Sequence, residues 1–286
     1  MDFLQPSSWD DALAARAERP DALPIAGGTD VMVELNFDRR RPGALLDLTR
    51  VPELREWTLA DGVVRLGAGV PYARVIGELG DRLPGLAMAA RTVGSPQIRA
   101  RGTVGGNLGS ASPAGDAHPP LLAAGAQVEL VSAARGARRV PVADFFAGVK
   151  RSVLEPDELI AAVLVPEAAG PQQYCKVGTR NAMVIAVSAF ALALHPDRQE
   201  VGTGIGSAAP TPRRAPEAGQ FLAGELNWAA RTPLPETLAA EFGRRVADAA
   251  SPIDDVRGSA AYRRHSLAVM ARRAATWAWD DLRRAA

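Results

Sequence analysis

The sequence contains a single cysteine and only three histidines in 286 residues. Cys175 alone excludes an internal disulfide, and a zinc or iron-sulfur site of four thiolates needs more cysteines than this chain has. His118, His195 and His265 lie far apart in the sequence. Because a metal site needs several converging ligands, we predict no metal site, even with Asp116 two residues before His118. Iron-sulfur clusters, if any, must come from another chain.

An excess of charge of one sign is also missing. The 33 Lys and Arg residues nearly balance 32 Asp and Glu residues, for a net charge of +1, so nucleic acid is not predicted as a partner. The one basic run, Arg39 to Arg41, is typical of a solvated turn. No stretch approaches the roughly 18 apolar residues of a membrane span, and the N-terminus lacks a signal-peptide pattern. We therefore expect a cytoplasmic protein with no membrane span.

Glycine and proline are plentiful, with 27 and 22 residues, and 47% of the chain is hydrophobic. These values are typical of a loop-rich globular protein with a buried core, and the length favours two domains. A stretch rich in Ala, Gly and Pro at residues 167–171 predicts the boundary between them. We expect a domain over residues 1–168, with lobes of about 1–53 and 54–168, and a smaller domain over residues 169–286.

The hydrophobic pattern predicts both helices and strands in the first domain. Ser8 is placed to cap a first helix through Asp11, and Pro20 ends that helix. A second helix is predicted around residues 73–79. The predicted strands are residues 23–26, 44–48, 63–69, 127–131, 139–142 and 158–165.

The second domain has a similar mixture. Residues 173–177 and 186–195 predict paired strands, and the second is apolar enough to be buried on both faces. Pro235 is placed at the first position of a helix. Helical spacing is shown by Leu238, Phe242 and Val246 and, near the C-terminus, by Leu267, Met270, Ala274 and Trp277.

The first candidate binding motif is Ile25-Ala26-Gly27-Gly28-Thr29-Asp30, a strand that ends in two glycines, a hydroxyl and a carboxylate. Glycines let backbone N–H groups approach an anion with no Cβ in between, and successive N–H groups in a turn form an anion site. The alternative is a simple Gly-Gly turn, which is the better interpretation of the motif taken alone.

A second candidate runs from Gly102 to Asp116. Glycines, hydroxyls, an amide and a carboxylate crowd into this stretch, which is the mixture needed to hold a diphosphate and sugar hydroxyls. The alternative is a long mobile loop. Because both flanks are apolar and long loops in compact domains are usually functional, we favour a binding segment.

A third glycine motif, residues 204–209, fits the dinucleotide fingerprint of Rossmann folds. That fingerprint must open a helix whose N-terminus faces the pyrophosphate, and Pro210 and Pro212 make such a helix improbable. We therefore interpret residues 204–209 as a strand end and turn, and predict no Rossmann NAD site. The triphosphate-binding loop and the nucleophile elbow of acyl transferases are also absent from the sequence.

The two glycine motifs in this order, followed by Asp116, resemble the FAD-binding segments of the medium subunits of molybdenum hydroxylases, the family of xanthine dehydrogenase and carbon monoxide dehydrogenase. Residues 26–30 are similar to the first segment, 103–107 to the second and 112–116 to its continuation. The likeness continues through residues 97–99, Lys176 with Arg180, 206–212 and 257–263. It implies an α+β chain, with a two-lobed PCMH-type, vanillyl-alcohol-oxidase-like FAD domain and a smaller α+β C-terminal domain.

The resemblance also implies a cleft that holds FAD between the two domains, with the glycine segments around the pyrophosphate. Asp116 would accept a hydrogen bond from an FAD hydroxyl, and Leu154 would pack on the cofactor. Lys176 would reach the flavin, where a cation stabilises negative charge on the reduced ring. Val93 and Gly94 would lie near the isoalloxazine. The expected cofactor-binding residues are Ile25, Ala26, Gly27, Gly28, Thr29, Asp30, Val31, Val93, Gly94, Thr103, Gly105, Gly106, Asn107, Gly109, Ser110, Asp116, Leu154 and Lys176.

The function that the resemblance implies is an electron relay. An oxidoreductase subunit of this kind passes electrons from a small [2Fe-2S] subunit through FAD to an external acceptor, beside a large molybdopterin subunit. Many relatives carry an Asp after the lysine, close to the flavin, whereas this chain has Asn181 to Ala186. The acceptor therefore stays open between NAD, a quinone, a carrier protein and oxygen.

Two other interpretations also stay open. One is a self-sufficient flavin oxidoreductase of the same fold, and the other is a non-redox nucleotide-binding module in which the glycine segments are only turns. The sequence leaves open which substrate the complex hydroxylates. It also leaves open whether the assembly is a heterotrimer or a dimer of heterotrimers.

Overall fold

Two large hydrophobic cores organise residues 1–285, which are the residues that the computed structural model describes. The larger core is built from side chains between Ala12 and Val165. The other is built from side chains between Phe190 and Leu282. Among residues 1–285 no helix is long and apolar enough to cross a membrane.

The first lobe is a small three-stranded parallel sheet with two helices. Ser8 caps the first helix by accepting a hydrogen bond from the Asp11 amide at 3.1 Å, and this helix ends at Glu18, before Pro20. The strands pair in the order β1-β3-β2. The elements are β1 (Asp2–Leu4), α1 (Trp9–Glu18), β2 (Leu23–Ile25), α2 (Val31–Asn36) and β3 (Ala44–Asp47), followed by 3-10 turns at Leu48–Arg50 and Pro52–Arg55.

The second lobe surrounds a five-stranded antiparallel sheet of order β4-β5-β10-β6-β7. Its central strand is buried from Glu158 to Val165, which explains why that segment alternates poorly in the sequence. The elements are β4 (Trp57–Ala60), β5 (Val63–Gly67), α3 (Tyr72–Glu78), α4 (Pro84–Arg91), α5 (Pro96–Arg101), α6 (Val104–Ser110), α7 (His118–Ala124), β6 (Gln127–Ser132), β7 (Gly136–Pro141), α8 (Val142–Phe145), β8 (Phe146–Gly148), β9 (Arg151–Ser152) and β10 (Glu158–Pro166).

The C-terminal part packs helices on a three-stranded antiparallel sheet of order β11-β12-β13. The predicted pairing of the first two strands is confirmed, with Lys176 opposite Ala189. The elements are β11 (Gln172–Val177), β12 (Ser188–His195), β13 (Glu200–Gly206), α9 (Pro216–Glu225), α10 (Glu236–Asp248) and α11 (Ala260–Arg284).

The sheet of the C-terminal part packs its other face directly on the first part. On β12 the residues Phe190, Leu192 and Leu194 face the C-terminal core. The alternate residues Ala189, Ala191 and Ala193 join a cluster with side chains of α4 and α7. Because successive residues of a strand point to opposite faces, β12 has side chains buried on both of its faces.

Glycines of β13 bring α7 against the sheet. A Cβ on Gly202 would lie 1.9 Å from the carbonyl oxygen of Ala123, and one on Gly204 would lie 2.0 Å from that of Pro119. Because α7 occupies the space of these side chains, only glycine fits at these strand positions. The third glycine motif is therefore a packing surface and a strand end, as the two prolines indicated, with no helix at its end.

Two expectations about the helices are corrected. Pro235 precedes its helix as the N-cap residue, since the helix begins at Glu236. Trp277 is 48% exposed, and Trp279 occupies the core position with 1% exposure. The other three predicted positions of this helix, Leu267, Met270 and Ala274, are buried in the core as expected.

Candidate cofactor site

The two glycine segments lie against each other, although they are far apart in the sequence. A Cβ on Gly27 would lie 2.0 Å from the carbonyl oxygen of Arg101, and one on Gly102 would lie 3.4 Å from Thr29 Oγ1. Contact this close between two backbones needs glycine, because any side chain would occupy the space. The first lobe thus meets the second lobe at the place where both candidate motifs lie.

Each glycine segment leads into a short helix. Gly28 has a φ of +75°, the left-handed conformation that glycine adopts readily, and its carbonyl accepts the Met32 amide at 3.0 Å as α2 begins. Thr103 caps α6, where its Oγ1 accepts the Gly106 amide at 2.9 Å. The first backbone N–H groups of a helix have no partner within the helix, so they are available to an anion or a cap.

The alternative of a long mobile loop at residues 102–116 is wrong, because α6 forms inside it. Thr103 supplies the cap for this helix, and Ala111 ends it in a left-handed conformation with a φ of 45°. Glycines at helix positions 105, 106 and 109 lower the intrinsic helix propensity. Contacts with the rest of the lobe override that propensity and keep the helix in place.

The glycines of the site have two different roles. A Cβ on Gly105 would lie 2.5 Å from the Cβ of Ala68, so protein atoms fill that space, as they do at Gly27. A Cβ on Gly106 would meet only Thr103 Oγ1 at 3.0 Å, and one on Gly109 only Ile160 at 3.7 Å. Packing alone therefore requires glycine at Gly27 and Gly105, and contact of their backbone N–H groups with an anion stays a prediction. Gly106 and Gly109 face space that a ligand can occupy.

A buried ion pair joins the second lobe to the C-terminal sheet. Lys176 Nζ donates to Asp116 Oδ2 at 2.7 Å, and the Tyr174 hydroxyl donates to Asp116 Oδ1 at 3.0 Å. The side chains of Lys176 and Asp116 are only 7% and 13% exposed. Burial raises the pKa of the Asp116 carboxyl, and the charge and hydrogen bond of Lys176 oppose that rise. The pair thus holds one cation and one anion at the junction of the two parts.

The same lysine reaches the segment that was predicted to lie beside the isoalloxazine. Lys176 Nζ donates to the carbonyl oxygen of Thr92 at 3.3 Å. The next two carbonyl groups, of Val93 and Gly94, accept hydrogen bonds from Arg99 at 3.1 and 3.0 Å. Lys176, Val93 and Gly94 are therefore neighbours.

Several other predicted site residues use their side chains within the protein. Ile25 and Val31 pack in the small hydrophobic cluster of the first lobe. The Asn107 carboxamide oxygen accepts the Ala117 amide at 3.3 Å, and Ser110 Oγ donates to the Asn107 carbonyl at 2.9 Å. Leu154 packs against the larger core. Contact of FAD with the backbone of residues 25–31 and 103–110, and with Leu154, stays a prediction.

Three polar neighbours of the site, Tyr174, Gln172 and Tyr72, were not predicted from the sequence. Tyr174 shares a strand face with Lys176 because strand residues two positions apart point the same way, and that spacing is a signal that was available. Gln172, two positions earlier, accepts the Gly85 amide at 3.0 Å. Strand β11 therefore presents a polar stripe, Gln172, Tyr174 and Lys176, to the first part of the chain. Tyr72 lies on helix α3, and no pattern in the sequence marks it as a neighbour of the site.

The segment that departs from the pattern of many relatives, residues 181–186, lies in the turn between β11 and β12. Val184 is packed so closely that a Cβ on Gly178 would lie 2.3 Å from its Cγ1. Met183 and Ile185 are 55% and 52% exposed. This turn presents apolar side chains and no carboxylate next to the strand that carries Lys176.

His118 is a core side chain. It is fully buried, its Nε2–H donates to the Asn107 carbonyl at 3.2 Å, and its ring centroid lies 4.7 Å from that of Phe146. Burial lowers the pKa of His118 to about 4. Within residues 1–285 no group of three or more His, Cys, Asp or Glu side chains is arranged to hold a metal ion.

The residues at this junction fit a dinucleotide cofactor. Gly106 and Gly109 leave open space beside a capped helix, and a hydroxyl of the adjacent Tyr72 is buried without a partner among the described residues. A buried cation lies beyond them, at Lys176. Two glycine segments in contact, free space beside Gly106 and Gly109, and a buried lysine on the C-terminal sheet define a class, the two-domain flavin-nucleotide-binding proteins.

Comparison with known proteins makes the class specific. Residues 1–168 match the FAD binding domain in molybdopterin dehydrogenase, and residues 173–278 match the CO dehydrogenase flavoprotein C-terminal domain. The chain is 32% identical to the putative xanthine dehydrogenase FAD-binding subunit of Escherichia coli K12, over 92% of this chain and 90% of the relative. It is 31% identical to the nicotine 6-hydroxylase medium subunit of Paenarthrobacter nicotinovorans, over 93% and 92%.

Solved structures agree with these relatives. The reconstituted CO dehydrogenase from Oligotropha carboxidovorans matches with a TM-score of 0.90 and 29% identity, over 98% of both chains. The chain therefore belongs to the FAD-binding medium subunits of the molybdenum hydroxylase family, and its cofactor is FAD. The predicted resemblance, fold class, cofactor and oxidoreductase class are confirmed. Its relatives are medium subunits of multi-subunit enzymes.

Proposed function

We propose that this chain binds FAD at the junction of its glycine segments and relays electrons from a small [2Fe-2S] subunit, through FAD, to an external acceptor. In this proposal a large molybdopterin subunit of the same complex oxidises the substrate. The observation that carries the proposal is the buried Lys176–Asp116 pair, which lies where the glycine segments and the C-terminal sheet meet. A single cysteine supports a chain whose one redox centre is FAD.

FAD supplies one-electron and two-electron chemistry when bound, and the protein supplies binding, orientation and electrostatics. Lys176 would hold a positive charge beside the flavin, because Asp116 and the Thr92 carbonyl keep its ammonium in place. A fixed cation favours charge states of the flavin that are negative. The backbone of Gly28 and Gly106 would surround the pyrophosphate, since neither residue carries a side chain of its own there.

The position of the cofactor is tested with Gly106→Val. The valine side chain would enter the space that the pyrophosphate needs. The one protein atom that its Cβ would meet is Thr103 Oγ1, at 3.0 Å, on a side chain that faces the same space, so we expect loss of FAD with the fold retained. Flavin content per chain is measured by absorbance, and folding by circular dichroism. The matched control is Gly77→Val, since a Cβ there meets nothing within 4 Å. A Gly106→Val protein that keeps its FAD would refute this position.

Because residues 204–209 are interpreted as a strand end and turn outside the cofactor site, Gly206→Val is also expected to leave FAD bound, and that expectation stays untested. The structure makes it a poor control, because a Cβ there would lie 2.9 Å from Pro119 Cγ. Packing of α7 on the sheet would suffer, so a loss of FAD would have two explanations. Gly77 in helix α3 avoids this ambiguity.

The relay itself is tested by anaerobic reduction. The chain alone, and the chain with its small and large partner subunits, receive purine, aldehyde or aromatic heterocycle substrates while flavin absorbance is followed. We expect bleaching only in the complete assembly, because one cysteine cannot hold an iron-sulfur cluster and the proposal places the molybdenum centre in the large subunit. Bleaching of the lone chain by substrate would favour a self-sufficient flavin oxidoreductase instead.

A further inference from the structure

The hydroxyl of Tyr72 is buried and has no hydrogen-bond partner among the residues that the structure describes. The whole side chain is 2% exposed. An unpaired hydroxyl in a protein interior costs about 1–3 kcal/mol, so such groups almost always have a protein, water or ligand partner. The hydroxyl therefore indicates a partner that comes from outside the chain.

Tyr72 lies beneath the junction of the two glycine segments. Its amide donates to the Gly102 carbonyl at 2.9 Å, and the preceding residue, Pro71, pairs with Thr103 in an isolated β-bridge. A Cβ on Gly102 would lie 3.5 Å from the Tyr72 ring and 3.4 Å from Thr29 Oγ1. The tyrosine ring thus lies beside Gly102, where the second glycine segment approaches Thr29 of the first.

The surroundings of the hydroxyl keep it protonated. Burial, with the nearby carboxylates of Asp116 and Asp30, raises the pKa of the Tyr72 hydroxyl well above its ordinary value. Asp116 already accepts hydrogen bonds from Tyr174 and Lys176. Tyr72 is therefore a neutral donor next to the region where an acceptor-rich cofactor is expected.

We propose that the Tyr72 hydroxyl donates a hydrogen bond to an oxygen of the ribityl-diphosphate part of FAD. This makes Tyr72 a cofactor-binding residue that lies outside both glycine segments. The proposal rests on FAD occupying the junction of those segments, as proposed above. A buried water molecule bound to the hydroxyl is the competing explanation.

The Tyr72→Phe variant separates these explanations. It removes the hydroxyl and keeps the ring, so the flavin-free chain should be as stable as the wild type or more stable. The dissociation constant for FAD should rise about 5- to 20-fold, the effect of one lost hydrogen bond in a buried site. Titration of the flavin-free full chain, followed by flavin fluorescence, measures it, and urea unfolding measures stability.

Two other tyrosines serve as controls, and each has a different expected result. Tyr262→Phe changes a side chain that is 49% exposed, so FAD affinity and stability should both stay unchanged. Tyr174→Phe removes a hydroxyl that has a protein partner, Asp116, so the flavin-free chain should itself lose stability. Only Tyr72→Phe should weaken FAD while sparing the flavin-free fold.

Titration with ADP-ribose locates the contact. An equal penalty for FAD and ADP-ribose would assign the contact to the diphosphate, and a penalty for FAD alone would assign it to the ribityl chain. Unchanged FAD affinity in Tyr72→Phe overturns the proposal and favours the water. If Gly106→Val also keeps its FAD, the cofactor position fails as well, whereas loss of FAD in Gly106→Val confines the failure to Tyr72.

Discussion

Replacing Lys176 with methionine tests whether the buried ion pair stabilises the junction between the two parts of the chain. Methionine keeps most of the length and apolar surface of the lysine stem, so the change removes charge with little loss of packing. Asp116 then stays buried, with only the Tyr174 hydroxyl as a donor. We expect the flavin-free chain to lose stability.

The magnitude follows from the geometry. Two unit charges separated by the 2.7 Å between Lys176 Nζ and Asp116 Oδ2 attract each other by about 6 kcal/mol at an effective dielectric constant of about 20. In the intact pair, the free-energy cost of desolvating both charges cancels much of this attraction. When the lysine is removed, the carboxylate stays buried without an opposite charge to compensate its desolvation. We expect Lys176→Met to lower the free energy of unfolding by about 3 kcal/mol.

A double-mutant cycle isolates the pair. Asp116→Asn removes the charge that Lys176→Met leaves unpaired, so the double variant should be more stable than the sum of the single effects predicts, by about 2 kcal/mol. Urea unfolding of the flavin-free chains, followed by tryptophan fluorescence, gives the four free energies. The exposed pair of Arg198 and Glu200 is the control, and Arg198→Met should change stability by less than about 0.5 kcal/mol.

The pH dependence has a definite sign. The pKa of Asp116 is raised in the folded chain by burial, so its contribution to stability is full below the unfolded pKa and is lost as pH rises through the folded pKa. Lys176→Met removes the positive charge and the hydrogen bond that oppose this rise, so the pKa of Asp116 should be higher still in the variant. The variant should therefore lose more stability at pH 8 than at pH 5, and Asp116→Asn should abolish the difference. Additive single effects that do not vary with pH would refute the role of the ion pair.

Three further predictions follow from the same structure. FAD is expected to be bound non-covalently, because Cys175 lies outside both glycine segments and burial raises the pKa of its thiol to about 11; flavin that stays in the pellet after acid precipitation would contradict this. Burial lowers the pKa of His118 to about 4, so about 3 kcal/mol of stability should be lost as pH falls from 6.5 towards 4, and His118→Gln, compared by urea unfolding, should remove that dependence. Arg263 is 4% exposed and donates to the carbonyls of Val187 and Ser207, so Arg263→Ala should cost about 3 kcal/mol, while the exposed Arg264→Ala, measured in the same way, should cost almost nothing.

The sequence alone was sufficient for local features and for the family. The Ser8 cap, the apolar strand of residues 186–195 and the prolines after residue 209 each act on their near neighbours, so their patterns predict structure directly. The ordered glycine motifs identify the family because several short matches in one order are far more specific than any one of them. The helix at residues 104–110 was not predicted, because contacts with the rest of the lobe outweigh the low propensity of its glycines.

Only the tertiary structure decided what surrounds each residue of the candidate site. Gly27 and Gly106 look equivalent in the sequence, yet one is pressed against the Arg101 carbonyl and the other faces open space. Lys176 pairs with Asp116, and Tyr72 lies beneath Gly102, through contacts between residues that are far apart along the chain. Hydrophobic and turn patterns carry information about neighbours a few residues away. The space around a side chain depends on how separate segments pack, and that packing exists only in the folded chain.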